Sequence, residues 1–493
     1  MKTPSDHIFQ LIQSMTAAEK RYFKIHFSSE KSLITELFNL LNSIKTYNEE
    51  EVKRYFKKSK LSKNLKVYKV MLSELLLKSL SSFRYKKSIN SLIRQNLEEV
   101  EILAEKKLYP QAIKKLHKTK QLCYEHEEFD QLVPIINLEY QFKDFYEIPV
   151  STLDSLKLLE EVIHTSSIIS EIFELKKLNH ELKLDARKFT SEKISPDEIK
   201  SIEASLKSNL KTKELLKKEY YSIAGIAHIY HSKKDPKKEL EFRIKAIDFF
   251  QTNPHFIESN PHKYWDAYFN FAVCYLRNDD YVNCDKTIQQ LKIFTKKHPS
   301  FVRKKMLISV LELARHRKQK NFTTIIDEVE PEILNLIELY GTGEEQSIIF
   351  SSTSLMMTYL SLENHSKVQF YLKRLFKYPF KSAPFNYYFE IINMISHYET
   401  GDFDTLQNLL TSKKRKLKRD SSYGTPFYQE VLKLFSQLLD PKNDVTKCVK
   451  QLQDKVNLYP EDNFLELIQY FLFDDWMKAL LANKTYGEYI QSK

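Results

Sequence analysis

Glycine is scarce: the chain has 6 in 493 residues. Glycine-rich phosphate loops, tight β-hairpin turns and collagen-like repeats all need residues free to take positive φ, so this composition excludes them. Cysteine is sparse too. Cys123, Cys274, Cys284 and Cys448 form no Cys-x-x-Cys pair, which predicts reduced thiols and a cytoplasmic setting rather than a disulfide framework. Long apolar runs are missing. The longest uncharged stretch, between Glu345 and Glu363, is broken by Ser347, Ser351, Ser352, Thr353, Ser354, Thr358 and Ser361. It falls short of a membrane span. Residues Met1–His7 have no apolar segment of the secretory type. The expectation is a soluble chain with no membrane insertion.

What the chain does have is 42% hydrophobic and 29% charged residues, enough to bury a core. Its formal net charge is +12. From Glu51 to Arg94 there are 13 basic residues and only 2 acids, Glu51 and Glu74, so this one segment carries +11. Such asymmetry marks either a solvated lysine-rich helical face or a contact with an anionic partner.

Apolar residues recur at helical spacing. Leu65, Tyr68, Leu72, Leu75 and Leu76 do so, as do Phe464, Leu465, Leu467, Ile468, Phe471, Leu472 and Trp476. No stretch alternates in the manner of a strand. Thr16-Ala17-Ala18-Glu19 reads as a capping box, and Asn48 before Glu49, Glu50 and Glu51 as an N-cap. The chain is therefore predicted to be all-α.

Short polar turns punctuate these helices. The clearest are Leu108-Tyr109-Pro110, Asp279-Asp280-Tyr281, Lys320-Asn321-Phe322 and Gly401-Asp402-Phe403, with weaker ones at Lys237, His365 and Val445. From Lys237 through Tyr281, Phe322, His365 and Phe403 to Val445 the gaps are 44, 41, 43, 38 and 42 residues. Tyr109 to Lys237 is 128 residues, room for three such periods, with faint turns near Thr152 and Ser195. A period near 42 fits a helix, a turn, a second helix and a connector, stacked as an α-solenoid.

Tyr268, Phe271, Ala272, Tyr275, Tyr281, Cys284 and Ile288 resemble the tetratricopeptide-repeat pattern, with Ala272 where that family prefers glycine and Cys284 where it prefers alanine. Gly401-Asp402-Phe403 resembles the family's turn directly. The period here exceeds the family's roughly 34 residues. The resemblance implies a right-handed solenoid of tetratricopeptide-like hairpins that holds a protein or peptide in a concave groove. The first 90 residues do not keep the phase. The expected organisation is a basic helical module over residues 1–90 and a solenoid over 91–493, capped by helices through Trp476 and Tyr489.

Chemistry finds little footing. His228 and His231 share a helix face, but their spacing suggests no third metal ligand. Glu161 and His164 form one Glu-x-x-His where a di-iron site needs two. There is no Gly-x-Ser-x-Gly elbow, and Gly341-Thr342-Gly343 lacks the rest of a phosphate loop. Cys274 and Cys284 fall at helix-packing positions, and Asp474-Asp475 reads as a surface pair beside Trp476. No cofactor, metal or catalytic role is expected.

Two binding candidates remain. Lys233, Arg277, Arg317 and Lys318 lie late in the first helices of their hairpins, where a basic rim would clamp a carboxylate or acidic peptide. The same cations also suit the helix dipole. The alternative is nucleic acid. Glu49–Leu80 reads as a short helix, a turn near Lys58–Leu61 and a longer helix opened by Ser62, presenting Lys63, Asn64, Lys66 and Lys69 as a helix-turn-helix would. The run Lys413–Arg419 is a second basic stretch. The leading expectation is a non-enzymatic scaffold for a protein or peptide. The second is a nucleic-acid-associated regulator with a solenoid sensor.

Overall fold

The computed structural model describes residues 6–27, 32–44, 46–85, 88–145, 152–187, 194–212, 215–298, 301, 304–340, 345–375, 383–420, 424–456 and 473–493. The run Phe464–Leu472 and the Gly341-Thr342-Gly343 stretch lie outside them. Among the described residues the fold is all helical, with no strand. Thr16 and Glu19 make the expected capping box, and Asn48 accepts from the N–H groups of Glu50 and Glu51.

A helix begins within a residue of every turn read above: at Tyr109, Pro236, Tyr281, Phe322, His365, Phe403 and Val445. Most of these turns share one device. The first helix ends on a left-handed residue: Lys107, Lys234, Asp279, Lys320, Glu363 or Gly401, with Glu127 and Asn483 doing the same elsewhere. The next N–H reaches back five residues to close the helix. Examples are Asp235 to Tyr230, Asp280 to Tyr275, Asn364 to Tyr359 and Asp402 to His397, at 2.9–3.0 Å. That is the Schellman closure. The same aspartate or asparagine then caps the following helix with its side chain, as Asp280 does for Asn283 (3.1 Å) and Asp402 for Thr405 (3.2 Å). One short residue ends one helix and opens the next, so the fold needs little glycine.

The left-handed position is strained for a residue with a Cβ, by roughly 1–2 kcal/mol. Gly401 at φ +71 avoids that cost; Lys320 at φ +59 does not. Lys320→Gly is expected to stabilise the chain by about 0.5–1 kcal/mol, part of the relief being offset by the greater freedom of unfolded glycine. A raised midpoint of urea unfolding would register it.

The stretch between Tyr109 and Pro236 departs from the three expected periods. It holds Phe129–Phe145, a single 36-residue helix Thr152–Arg187 and Pro196–Thr212. No glycine or proline interrupts the sequence from Ser151 to Lys193, so nothing stops that long helix halfway.

The chain forms two compact units. One comprises residues 1–179, 205–224 and 245–264; the other comprises 180–204, 225–244 and 265–493. In the first, one apolar cluster gathers residues from Ile8 to Leu76 and another gathers Ile93 to Ile172. In the second, the largest cluster runs from Met306 to Tyr486. The uncharged stretch read above is explained there. Helix Glu345–Ser361 is buried along most of its length. Thr353, Thr358 and Ser361 return their hydroxyls to carbonyls one turn back, so no polar group needs water.

Buried glutamates stitch helices together within each unit. Glu239 is 3% exposed and meets Arg243, Arg277 and His231. Glu330 accepts from the hydroxyls of Tyr359 and Tyr371, and Glu390 from Tyr428 and Lys413. Such carboxylates cannot lose a partner cheaply.

Candidate functional site

The four rim cations are engaged within the chain. Lys233 Nζ lies 2.6 Å from Glu203, Arg277 2.9 Å from Glu239, and Lys318 2.8 Å from Asp279 and 3.0 Å from the Leu276 carbonyl. Arg277 and Lys318 each reach back to the preceding hairpin, so they act as staples between neighbours. Partly exposed pairs of this kind contribute about 0–1 kcal/mol each. Arg317 is half-buried, and one guanidinium nitrogen is enclosed without a hydrogen-bond partner. Its charge favours ionised hydroxyls at Tyr388 and Tyr486, although burial outweighs it and raises both.

His228 and His231 face arginines. His228 lies 3.5 Å from Arg243, and His231 contacts Arg277 and Glu239. Two guanidinium groups at that place oppose a metal cation. Cys274 and Cys284 are buried, and burial raises both thiols to about 11, so they are inert at neutral pH.

In the basic N-terminal region the longer helix is Leu65–Tyr85, opened after Asn64 rather than by Ser62. Ser62 instead sits in the one-turn helix Lys60–Lys63 and donates to the Lys53 carbonyl. Lys63, Asn64 and Lys66 are exposed. Lys69 is held apart from them, 2.8 Å from Glu49 and over the ring of Tyr47. The expected basic face is thus split: three residues look outward, and the fourth ties the helix to its neighbour.

No protein-family model matches the chain, and no curated protein or solved structure is significantly similar to it.

The best-formed recognition geometry was not read from the sequence. It lies in the second unit, where helices Glu345–Ser361 and Ala383–Glu399 make a seat for the helices Phe473–Leu481 and Tyr486–Ser492. Met357, Leu360, Tyr388 and Ile392 meet Phe473, Trp476 and Tyr486 around a void of only about 10 Å³. That volume leaves room for at most one water. Trp476 is 1% exposed, stacks on Phe435 at 5.2 Å and meets Tyr398 edge-on at 5.9 Å.

The polar edge of the seat is specific. Tyr486 N–H donates to Glu399 Oε1 at 2.8 Å, Thr485 Oγ1 donates to Glu363, and Gln491 donates to the Ser361 carbonyl at 3.1 Å. Glu399 has its carboxyl pushed up to about 7. Burial is the main cause, with Glu363 and Glu488 adding repulsion and the Tyr486 N–H opposing. Gly487 lets the last helix come this close: a Cβ there would stand 2.6 Å from Glu363 Cγ and 3.1 Å from the Ser361 carbonyl. Two sequence signals were available, a capping box at Thr485 and Glu488 and a glycine inside a short helix in a chain almost without glycine.

Proposed function

We propose that this chain is a non-enzymatic scaffold, a right-handed solenoid of tetratricopeptide-like hairpins whose first helices hold a helical segment of a protein partner. One observation carries the reading. Two successive first helices, Glu345–Ser361 and Ala383–Glu399, already enclose a short helical pair through the aromatic anchors Trp476 and Tyr486. Recognition of a helix in a groove works the same way, with aromatic anchors in a dry centre and a few hydrogen bonds at the rim. The shared turn at hairpin after hairpin supports the array, and the staples from Arg277 and Lys318 support its stacking. Among the described residues no helix is long and apolar enough to cross a membrane.

The test is affinity capture from native lysate with the full chain and with the Gly487→Ala variant, each with and without nuclease, read by mass spectrometry. A discrete protein that survives nuclease, with recovery altered by Gly487→Ala, supports the scaffold. Recovery that collapses with nuclease transfers the function to Lys63, Asn64 and Lys66 and a nucleic acid.

A further inference from the structure

Helix Leu65–Tyr85 is divided between two environments. Leu65, Leu72 and Leu76 are buried in the N-terminal apolar cluster. The opposite face is apolar as well: Val67 is 55% exposed, Val70 51%, Met71 43% and Leu77 55%. At 100° per residue these four, with Lys66 at one edge and Lys78 near the other, fall within an arc of about 140°. A surface helix ordinarily turns polar residues to water, so a coherent exposed stripe of this kind marks an interaction site.

We propose that this face is a docking surface for an acidic amphipathic helix of a partner protein. The apolar centre and its charge choose the occupant together. Val67, Val70 and Met71 stand at i, i+3 and i+4, and Leu77 lies two turns further on, the anchor spacing of a helix-to-helix contact. Around them the segment Glu51–Arg94 carries 13 basic residues against 2 acids. A second copy of this face would bring like charge against like charge. A nucleic acid would gain nothing from four aliphatic side chains at the centre of the contact, and Lys69, which would extend a phosphate-binding row, is already on Glu49. An acidic helix with its own apolar stripe satisfies both features. The aliphatic row gives the register, and the lysines speed and steer the encounter. The surface is independent of the seat for Trp476 and Tyr486, so the two readings stand or fall separately.

The experiment uses the full chain and a fluorescein-labelled designed peptide. The peptide carries leucines at helical i, i+3, i+4 and i+7 spacing with glutamates elsewhere. A control isomer has the same composition with its leucines scattered. Anisotropy is expected to show the designed peptide binding at least about tenfold tighter than the isomer, and more tightly at low salt. Met71→Glu alters only an exposed side chain and is expected to weaken binding about tenfold, while Lys66→Glu lowers affinity and flattens the salt dependence. Amine-reactive footprinting should find Lys63 and Lys66 shielded by the peptide and Lys414 unchanged. Equal binding of the isomer, indifference to Met71→Glu, or shielding elsewhere would overturn the proposal. Phosphatidylserine vesicles and a DNA duplex complete the test. Vesicle binding lost in Met71→Glu without peptide binding gives the face to lipid. Duplex binding lost in Lys66→Glu but not in Met71→Glu gives it to nucleic acid. Either result overturns the acidic helix.

Discussion

Trp476→Ala is expected to destabilise the second unit by about 3–5 kcal/mol and to release the C-terminal helices from their seat. The indole is 1% exposed and lies between Phe435, Tyr398 and Phe473, with ring centroids 5.2, 5.9 and 5.6 Å away. Its removal forfeits aromatic contacts on three sides. The surrounding void is already near 10 Å³, so the space left behind adds to an interior that has no slack to collapse into. The chain has only 2 tryptophans, Trp265 and Trp476. A Trp265→Phe background therefore reports the seat alone by fluorescence. In that background the emission of Trp476 should be blue-shifted in the folded chain and should move red before global unfolding if the seat opens first. In urea, Trp476→Ala should lower the midpoint markedly, while Trp476→Phe, which keeps a ring, should cost clearly less.

Glu399→Gln is expected to stabilise the chain, and only at higher pH. The carboxyl titrates near 4.5 when unfolded and near 7 when folded. Below the lower value it is protonated in both states, and its favourable contribution is fully present. As pH rises toward 7 the unfolded chain gives up the proton first, so stability falls; above 7 both states are ionised and the loss is complete. A shift of this size corresponds to roughly 3 kcal/mol at most. Glutamine keeps an acceptor for the Tyr486 N–H and carries no charge. At pH 8 the variant should be more stable than the parent by up to about 3 kcal/mol, and at pH 4 the two should coincide. Parallel stability curves from pH 4 to 8 would show that burial of Glu399 does not tune this seat.

Much of the helical frame was legible in the sequence because it rests on local chemistry. The turns at Tyr281, Phe322 and Phe403 announce themselves through the aspartate or asparagine that ends one helix and caps the next. Thr16 and Asn48 cap where their side chains say they should. The stretch between Tyr109 and Pro236 was misread because spacing alone cannot tell three short hairpins from one uninterrupted helix. The rim cations were correctly placed late in their helices, but charge carries no information about partners. Glu203, Glu239 and Asp279 reach them only through tertiary packing. The seat itself was out of reach for the same reason: Gln491 and Ser361 are 130 residues apart, and no local pattern links them.

The most direct test of the account is binding in trans. The chain ending at Val456, its helicity checked by circular dichroism, is titrated with a labelled peptide spanning residues 473–493. A seat that recognises helical segments should bind the peptide saturably, and Trp476→Ala in the peptide should weaken binding by at least about a hundredfold, in line with the loss of a buried aromatic anchor. A folded shortened chain that ignores the peptide, or that takes the Trp476→Ala peptide equally well, would contradict the claim that these hairpins hold helices.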